Sequence, residues 1–396
     1  MTGHIRKRGK RSWSIVLDIG EDPVTGKRRQ RWHTVHGTKK AAERELTRLL
    51  GALLDGAYVE PAKVTVGEFL DRWLRDYAKP NVAGRTFERY ESIVTEHLKP
   101  ALGRIVLQRL QPIAIQAAYT QWRESGRKKP KKTELPGLSE TTILQHHRVL
   151  HKALEMAVRW QLIPRNPADA VEPPKPKRRE MKTIDEAQTA WALEFAEAKK
   201  SELYLPVLMA VTTGLRRGEI LALRWQDIDF GAQILTVRRS LEETKNGLKF
   251  KDTKARRSRV VDVPPILLDA LESHRKTQGE RRKSFGPAWE DNDLVFPRGN
   301  GRPWKPDNFT SLYFDWIAKA GLKGIRFHDL RHSHAAQLIQ LGTHPKVIQE
   351  RLGHASTSFT LDVYGHLLPG LQRDAAQKLG ESLAKARKDQ KDARTQ

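Results

Sequence analysis

The stretch "FHDLRHSHAAQLIQLG", residues 327–342, has the pattern of an amphipathic helix with a polar first turn. His328 and Arg331 are three residues apart, so they share one face of that helix. His328 and His332 are four apart, a spacing that also permits a metal pair. The stretch lacks the glutamate arrangement of a helical zinc hydrolase, and the chain has no cysteine, so a metal-free site is favoured.

The stretch "TTGLRRGEILALRW", residues 212–225, joins two apolar helical runs through a turn. Its glycine lets the backbone turn tightly just before Arg216, and Glu219 is placed to orient a guanidinium. A solvated surface charge is the ordinary interpretation of such an arginine. This stretch alone therefore does not identify a site.

Two further stretches contain side chains capable of chemistry. Lys254 lies in "KDTKARRSRVVDVP", where we expect it at the tip of a β-hairpin. His354 precedes Tyr364 by ten residues in "ERLGHASTSFTLDVYGH". Each also has an ordinary interpretation: a solvated lysine, a helix-capping histidine and a half-buried tyrosine.

Taken together, these side chains suit phosphoryl transfer without a metal. The set consists of Arg216, Lys254, His328, Arg331, His354 and Tyr364. Arginine binds nonbridging phosphate oxygens through two parallel hydrogen bonds and stabilises negative charge in the transition state. Lysine or histidine can protonate a leaving oxygen, and tyrosine can form a covalent ester.

The composition favours a DNA-binding protein. The chain has 396 residues, of which 38% are hydrophobic, and a formal net charge of +25. The length indicates two or three domains, and the charge favours a polyanionic partner such as nucleic acid. A membrane surface is the rival, but no apolar run approaches the roughly 18 residues of a membrane span. The N-terminus lacks the apolar core of a signal peptide, and the missing cysteines fit a reducing cytoplasm.

Composition and periodicity divide the chain into three segments and a linker. Residues 1–61 contain two predicted strands, "SWSIVLDIG" and "KRRQRWHTVHG", followed by a helix from about Thr38. Residues 62–165 are predicted to be all-helical, and 166–181 form a linker rich in proline and basic residues. Residues 182–396 are predicted to be mainly helical, with "QILTVRRS" and "RSRVVDVP" as a strand pair.

The first two segments contain further DNA-binding candidates. Residues 1–50 carry thirteen Lys or Arg and five Asp or Glu, and a small basic sheet backed by a helix suits a DNA groove. A solvated basic face is the alternative. In the helical segment, His146, His147 and His151 form a predicted polar stripe that faces DNA, with a metal site as the less favoured alternative.

The third segment resembles the catalytic domain of the tyrosine recombinases, the phage integrase family. The resemblance lies in "TGLRRGE", "HDLRHSHA" and "LGHASTSFTLDVYGH", and covers about 180–370. The second segment is similar to the family's core-binding domain, and the first resembles the arm-binding domain of larger integrases in layout. The implied fold is an α+β multidomain protein: a small β-sheet with a helix, an all-α domain, and a mainly α catalytic domain with a small antiparallel sheet.

The resemblance also implies a mechanism. Tyr364 would attack a DNA phosphodiester to form a 3′-phosphotyrosyl link, His328 would act as its general acid/base, and Lys254 would protonate the leaving 5′-oxygen. The remaining roles are phosphate binding by Arg216, Arg331 and His354, with Glu219 and Asp329 as supports. The phosphotyrosine conserves the bond energy, so the family uses no ATP, metal or other cofactor.

The expected function is site-specific recombination by an integrase of a phage or mobile element. Its partners would be double-stranded DNA with attachment sites and three further copies in a homotetramer, in the bacterial cytoplasm at the nucleoid. A directionality factor or a host DNA-bending protein is a further candidate partner. The alternatives are a non-catalytic DNA-binding regulator and an enzyme like the type IB topoisomerases, which relaxes supercoils without strand exchange.

Overall fold

The protein is described by a computed structural model that covers most of the chain. It describes residues 2–21, 25–55, 58–60, 63–127, 136–177, 181–252, 258–353, 376–377 and 379–387. The chain divides into two compact units, Met1–Arg178 and Arg179–Gln396. The predicted fold class is confirmed, whereas the predicted domain boundaries at 61, 165 and 181 stay predictions.

The first unit begins with a three-stranded antiparallel sheet and one helix. Its elements are β1 (Gly3–Gly9), β2 (Ser12–Glu21), β3 (Arg28–His36) and α1 (Lys39–Leu54). The sheet order is β1-β2-β3. Ile15 and Leu17 alternate on one face of β2 and pack with Leu49 of α1, because successive strand residues point to opposite faces. Both predicted strands and the helix after Thr38 are confirmed, and β1 is an additional strand.

The rest of the first unit is helical. Its α-helices are α2 (Val66–Trp73), α3 (Lys79–Asn81), α4 (Gly84–Ile93), α5 (Lys99–Leu102), α6 (Pro112–Ser125) and α7 (Glu140–Arg159). Short 3-10 turns form at Leu107–Arg109 and Pro167–Ala170. Ala168 and Val171 are buried in the helical core, so the first residues of the predicted linker pack against this unit.

Two π-helical turns in this unit follow directly from the sequence. Leu74–Ala78 and Val94–Leu98 each connect two α-helices, and each is followed by a Lys-Pro pair. A proline has no N–H, and its ring clashes with the carbonyl four residues earlier. The wider π turn avoids that clash, and the lysine N–H bonds to the carbonyl five residues back in both cases.

The predicted histidine stripe is wrong, because two of its three rings are buried. His146 is 2% exposed and stacks on His97, with 4.4 Å between ring centroids. His147 is 8% exposed, and its Nδ1 lies 2.6 Å from the hydroxyl of Tyr119. Burial, followed by nearby positive charge, lowers the pKa of His146 to about 4. His146 and His147 therefore belong to the helical core.

The second unit is mainly helical with two small sheets. Its helices are α8 (Glu186–Ala198), α9 (Tyr204–Thr213), α10 (Arg217–Ile220), α11 (Pro265–Phe285), α12 (Pro306–Lys319), α13 (Phe327–Gln340) and α14 (Pro345–Leu352). Its strands are β4 (Ile228–Asp229), β5 (Ile234–Val237), β6 (Arg239–Thr244), β7 (Gly247–Asp252) and β8 (Arg259–Asp262). The buried α9 packs against α13 and helps to form the main core.

The predicted strand pair of this unit is confirmed as β5 with β8, which are antiparallel. The chain between them forms a second hairpin, β6 with β7, whose turn is Lys245-Asn246. β7 and β8 belong to different sheets, and Lys254 lies between them outside the described residues, so its expected place at a hairpin tip stays a prediction. Of the helices in the described part of the chain, none combines the length and apolar character that a membrane crossing requires.

Candidate active site

The turn between α9 and α10 places Arg216. Gly214 ends α9 in the left-handed conformation, with a φ of +67°, and Arg216 follows as the extended residue before α10. A Cβ on Gly214 would lie 2.5 Å from Cδ2 of Leu352 and 2.6 Å from Cδ2 of His334. The missing side chain therefore allows the turn to lie directly against α13 and α14.

Glu219 is the buried carboxylate of this turn, with 3% of its surface exposed. It accepts hydrogen bonds from the backbone N–H of Arg216 at 2.9 Å and from its Nη1 at 2.8 Å. The Arg259 guanidinium donates to both carboxylate oxygens, at 3.1 and 2.6 Å. Burial would raise the pKa of Glu219, but the bonds and charge of Arg259, followed by Arg216, lower it to about 2. Glu219 is therefore ionised and bound to two guanidinium groups.

Of the two adjacent arginines in this turn, only Arg216 faces the site. The Nη1 of Arg217 donates to the carbonyl oxygen of Pro306 at 2.8 Å and to the hydroxyl of Thr310. These bonds direct Arg217 toward α12. Arg216, the arginine predicted from the sequence, instead bonds to Glu219 and to the carbonyl oxygen of Gly353.

Arg331 connects the ends of two helices. It lies on α13 and is 3% exposed. Its Nη1 donates to the carbonyl oxygen of Gly214 at 2.6 Å, and its Nη2 donates to that of Leu352 at 2.6 Å. The guanidinium thus lies between the last residues of α9 and α14, beside the turn that carries Arg216.

His328 lies in the first turn of α13, and part of the residue is exposed to solvent. The ring packs edge-on against His332, with 5.0 Å between centroids. Partial burial of the ring lowers the pKa of His328 to about 4, and the positive charges of His332, Arg331 and Arg216 add to this effect. A neutral imidazole at pH 7 can accept a proton from a nucleophile.

Asp329 fixes the start of α13. The carboxylate is 1% exposed and accepts a hydrogen bond from the backbone N–H of Arg326 at 2.8 Å. It also accepts one from Nη2 of Arg326 at 2.7 Å. Arg216 and Glu219 bond in the same way at α10, so an Arg-x-x-acid pattern caps both helices. Asp329 thus bonds to Arg326, and its supporting role stays a prediction.

Three arginines converge on the last residues of α14, 351–353, which we call the α14 end. The three consecutive carbonyl oxygens accept, in chain order, from Nε of Arg259 at 3.1 Å, Nη2 of Arg331 at 2.6 Å and Nη2 of Arg216 at 3.5 Å. The carbonyls at a helix C-terminus lack intrahelical partners and carry partial negative charge, which attracts cations. His354 is the next residue in the chain.

The described part of the chain thus brings three of the six predicted catalytic residues together. These three are Arg216, His328 and Arg331. The other three lie outside the described residues: Lys254, His354 and Tyr364. No group of three or more His, Asp or Glu side chains in the described ranges is arranged to hold a metal ion.

A second polar cluster beside this site was not predicted from the sequence. His334 is 4% exposed, and its Nδ1 lies 2.8 Å from the carbonyl oxygen of Val211. The Nε of Arg351 donates to Nε2 of His334 at 3.2 Å, so His334 carries its proton on Nδ1. Arg351 Nη2 donates to the carbonyl oxygens of Thr212 at 2.8 Å and Asp262 at 3.0 Å. These bonds fasten α14 to α9 and β8.

Known proteins resemble this chain in both units. The phage integrase family matches residues 182–370, and the N-terminal SAM-like domain of phage integrases matches residues 65–123. The tyrosine recombinase XerC-like protein of Caldanaerobacter subterraneus subsp. tengcongensis is 27% identical over 393 residues, covering 95% of this chain and 97% of its own. The ICEBs1 integrase of Bacillus subtilis is 28% identical over 392 residues, covering 96% and 100%.

A solved structure shares the fold. The Tn1549 transposon integrase, in complex with a circular intermediate DNA, has a TM-score of 0.67 at 20% identity, covering 80% of this chain and 99% of that chain. The family matches and the shared fold define an enzyme that breaks and rejoins DNA strands, a tyrosine site-specific recombinase. The chain belongs to the phage integrase family.

Proposed function

We propose that the protein integrates and excises a phage or other mobile element through a 3′-phosphotyrosyl intermediate formed by Tyr364. One observation carries this proposal. Arg216 and Arg331 both bond to the α14 end, which directly precedes His354, and His328 lies near enough to both arginines to feel their charge. Two guanidinium groups and a neutral imidazole at one point of the surface suit a phosphodiester with an attacking hydroxyl.

In this mechanism the hydroxyl oxygen of Tyr364 attacks the scissile phosphorus, and the bond to the 5′-oxygen breaks. The proton of Tyr364 passes to His328, whose low pKa keeps it neutral and able to accept. Lys254 protonates the leaving 5′-oxygen. The 3′-phosphotyrosyl ester keeps the energy of the broken bond, so a 5′-hydroxyl can reverse the step on the same or another strand.

Arginine supplies the charge stabilisation. Arg216 and Arg331 bind the nonbridging oxygens of the phosphate, and His354 donates a further hydrogen bond to them. Arg216 is suited to this task because its side chain is 41% exposed while Glu219 holds it from behind. The site therefore presents a fixed guanidinium to DNA.

We further propose that residues 1–61, 62–165 and 182–396 act as arm-binding, core-binding and catalytic domains. The sheet face opposite α1 supports DNA contact by the first of these. Trp32 is 59% exposed on that face, and the Arg6 guanidinium lies 5.7 Å from the centre of its ring. Aromatic and basic side chains on a small sheet suit a DNA groove.

The assembly on DNA is proposed to be a homotetramer, acting at the nucleoid with a directionality factor or a host DNA-bending protein. Exchange between two duplexes needs four cleavages, and each active site supplies one. The tail after Gly370 is proposed to pack on a neighbouring copy. Truncation there should impair recombination between two sites more than binding to one site. Normal recombination by the truncated protein would contradict this part of the proposal.

The deciding experiment is a covalent trapping assay. The wild type is incubated with a nicked duplex that spans the junction between the genetic element encoding this chain and its host chromosome, and the products are separated on a denaturing gel. We expect a protein–DNA adduct that is absent in Tyr364→Phe, whose noncovalent binding persists and weakens steeply with salt. A regulator would give no adduct, and relaxation of supercoils without exchange would indicate topoisomerase activity.

A further inference from the structure

Arg259 occupies a central place between two parts of the active site. Its side chain extends from β8 and is 13% exposed. Both Nη atoms donate to the two oxygens of Glu219, which in turn holds Arg216. The Nε donates to the carbonyl oxygen of Arg351 in the α14 end. One planar group therefore spans the Arg216 turn and the segment that leads into His354.

The packing around this guanidinium leaves little freedom. Gly353 has a φ of +65°, and a Cβ there would lie 3.0 Å from Cδ of Arg259 and 3.3 Å from its Nε. A glycine at this position satisfies the left-handed backbone and also lets the Arg259 side chain lie close to the main chain. Gly353, the residue directly before His354, thus packs closely against the side chain of Arg259.

The charges of this group explain why a second arginine is useful. Glu219 with Arg216 alone would be a neutral pair, in which the carboxylate competes with a phosphate for the Arg216 guanidinium. Glu219 shared between Arg216 and Arg259 leaves a net charge of +1. Arg259 thus shares the carboxylate with Arg216, while its own guanidinium is occupied by bonds to Glu219 and to the carbonyl oxygen of Arg351.

We propose that Arg259 is a positioning residue for DNA cleavage. Through Glu219 it fixes the position of the Arg216 guanidinium, and through the α14 end it fixes the point at which the chain continues into His354. The inference rests on the proposed function. Lysine cannot replace this arginine fully, because an ammonium group lacks the planar fork that bonds two carboxylate oxygens and a carbonyl together.

The test uses the full-length protein and the nicked duplex described above, at protein concentrations that saturate the DNA. Two quantities are measured: the first-order rate of adduct formation, and the Kd of noncovalent binding in the Tyr364→Phe background. We expect Arg259→Gln to lower the rate by about 10- to 100-fold, as when the partner of a directly acting group is lost. The Kd should change less than about threefold, because the guanidinium of Arg259 is already bonded to Glu219 and to the α14 end.

Three further variants separate positioning from general stability. Arg259→Lys should give a rate between those of wild type and Arg259→Gln, because it keeps the charge and loses the fork. In a Glu219→Gln background, Arg259→Gln should lower the rate of adduct formation by a smaller factor than it does in the wild type, because part of its effect passes through Glu219. Arg239→Gln is the matched control: it removes an arginine from another buried carboxylate, that of Asp227, and should leave the rate unchanged.

The pH dependence gives a readout that a purely structural role would not change. Without Arg259, Glu219 keeps one cation and its pKa rises, so the rate of Arg259→Gln should fall with decreasing pH at values where the wild type is still level. If folded wild type and folded Arg259→Gln form the adduct at equal rates, the positioning role of Arg259 is overturned and the proposed function is unaffected. The same applies if Arg239→Gln slows cleavage equally.

Two remaining outcomes are also decisive. If Arg259→Gln does not fold, Arg259→Lys at the wild-type rate overturns the positioning role, and a folded but slow Arg259→Lys supports it. If the wild type itself forms no adduct, the proposed function fails and the positioning role fails with it. An adduct in the wild type that is absent in Tyr364→Phe upholds the proposed function whatever Arg259 does.

Discussion

Replacement of Glu219 by glutamine tests the buried charge group at the centre of the site. The carboxylate binds two guanidinium groups in an environment with 3% exposure. The glutamine keeps the size of the side chain and removes its charge. Arg259 then remains largely buried without its anionic partner, which is the costly arrangement for an ion pair.

The pKa of Glu219 gives the size of the effect. Folding lowers that pKa from its ordinary value of 4.5 to about 2, which corresponds to about 3 kcal/mol of stability from the ionised form. Because the folded pKa is the lower one, this contribution is complete well above pH 4.5 and disappears as the pH falls through about 2. The free energy of unfolding should therefore differ between the two proteins by about 3 kcal/mol at pH 7 and about 1 kcal/mol at pH 3.

The assay is urea unfolding of both full-length proteins between pH 7 and pH 3, followed through the second unit. Other carboxylates titrate equally in both proteins, so the difference isolates Glu219. Glu280→Gln, an exposed change on α11, serves as control and should alter stability by less than about 0.5 kcal/mol. A wild-type advantage that is below about 1 kcal/mol at pH 7, or that does not shrink toward pH 3, would refute the reasoning.

Three other predictions follow from individual contacts. Gly214→Ala should destabilise the protein by more than about 2 kcal/mol in thermal or urea unfolding, through a left-handed backbone and contacts at 2.5 Å, whereas Gly279→Ala on α11 should stabilise it by about 0.5 kcal/mol. Nitrogen NMR should find His334 protonated on Nδ1 and neutral down to a pH near its pKa of about 4; an Nε2–H tautomer would contradict the assigned bonds. Adduct formation should show no loss from His328 protonation between pH 7.5 and pH 5.5, and an inflection near pH 6.5 that is abolished in His328→Gln would count against its lowered pKa.

Local patterns in the sequence predicted much of this architecture. The 3.6-residue periodicity located the main helices, among them the helix that follows Thr38. The spacing of His328 and Arg331 and the glycine turn before Arg216 identified the described part of the candidate site, because each depends on residues close together in sequence. Helix caps and i, i+3 neighbours are set by local geometry.

Contacts distant in sequence were the ones that the sequence did not reveal. Arg259 meets Glu219 across forty residues, and nothing in "ARRSRVV" distinguishes it from its basic neighbours. His146 and His147 look like surface residues until the aromatic rings of other helices cover them. Strand β1 lacks a clear alternation of apolar and polar residues, because most of its side chains are exposed. The hairpin of β6 and β7, in contrast, contains Asn246-Gly247, a pair typical of hairpins that the sequence shows directly.

The contacts of the α14 end have a consequence for the construction of chimaeras. Three arginines from different elements bond there to main-chain oxygens, and the attachment is complete at Gly353. A foreign C-terminal portion joined after Gly353 would inherit this attachment regardless of its own sequence. A junction placed before Arg351 would also have to supply the side-chain bonds to His334, Thr212 and Asp262. This chain should therefore accept a foreign final portion most readily at a junction after Gly353.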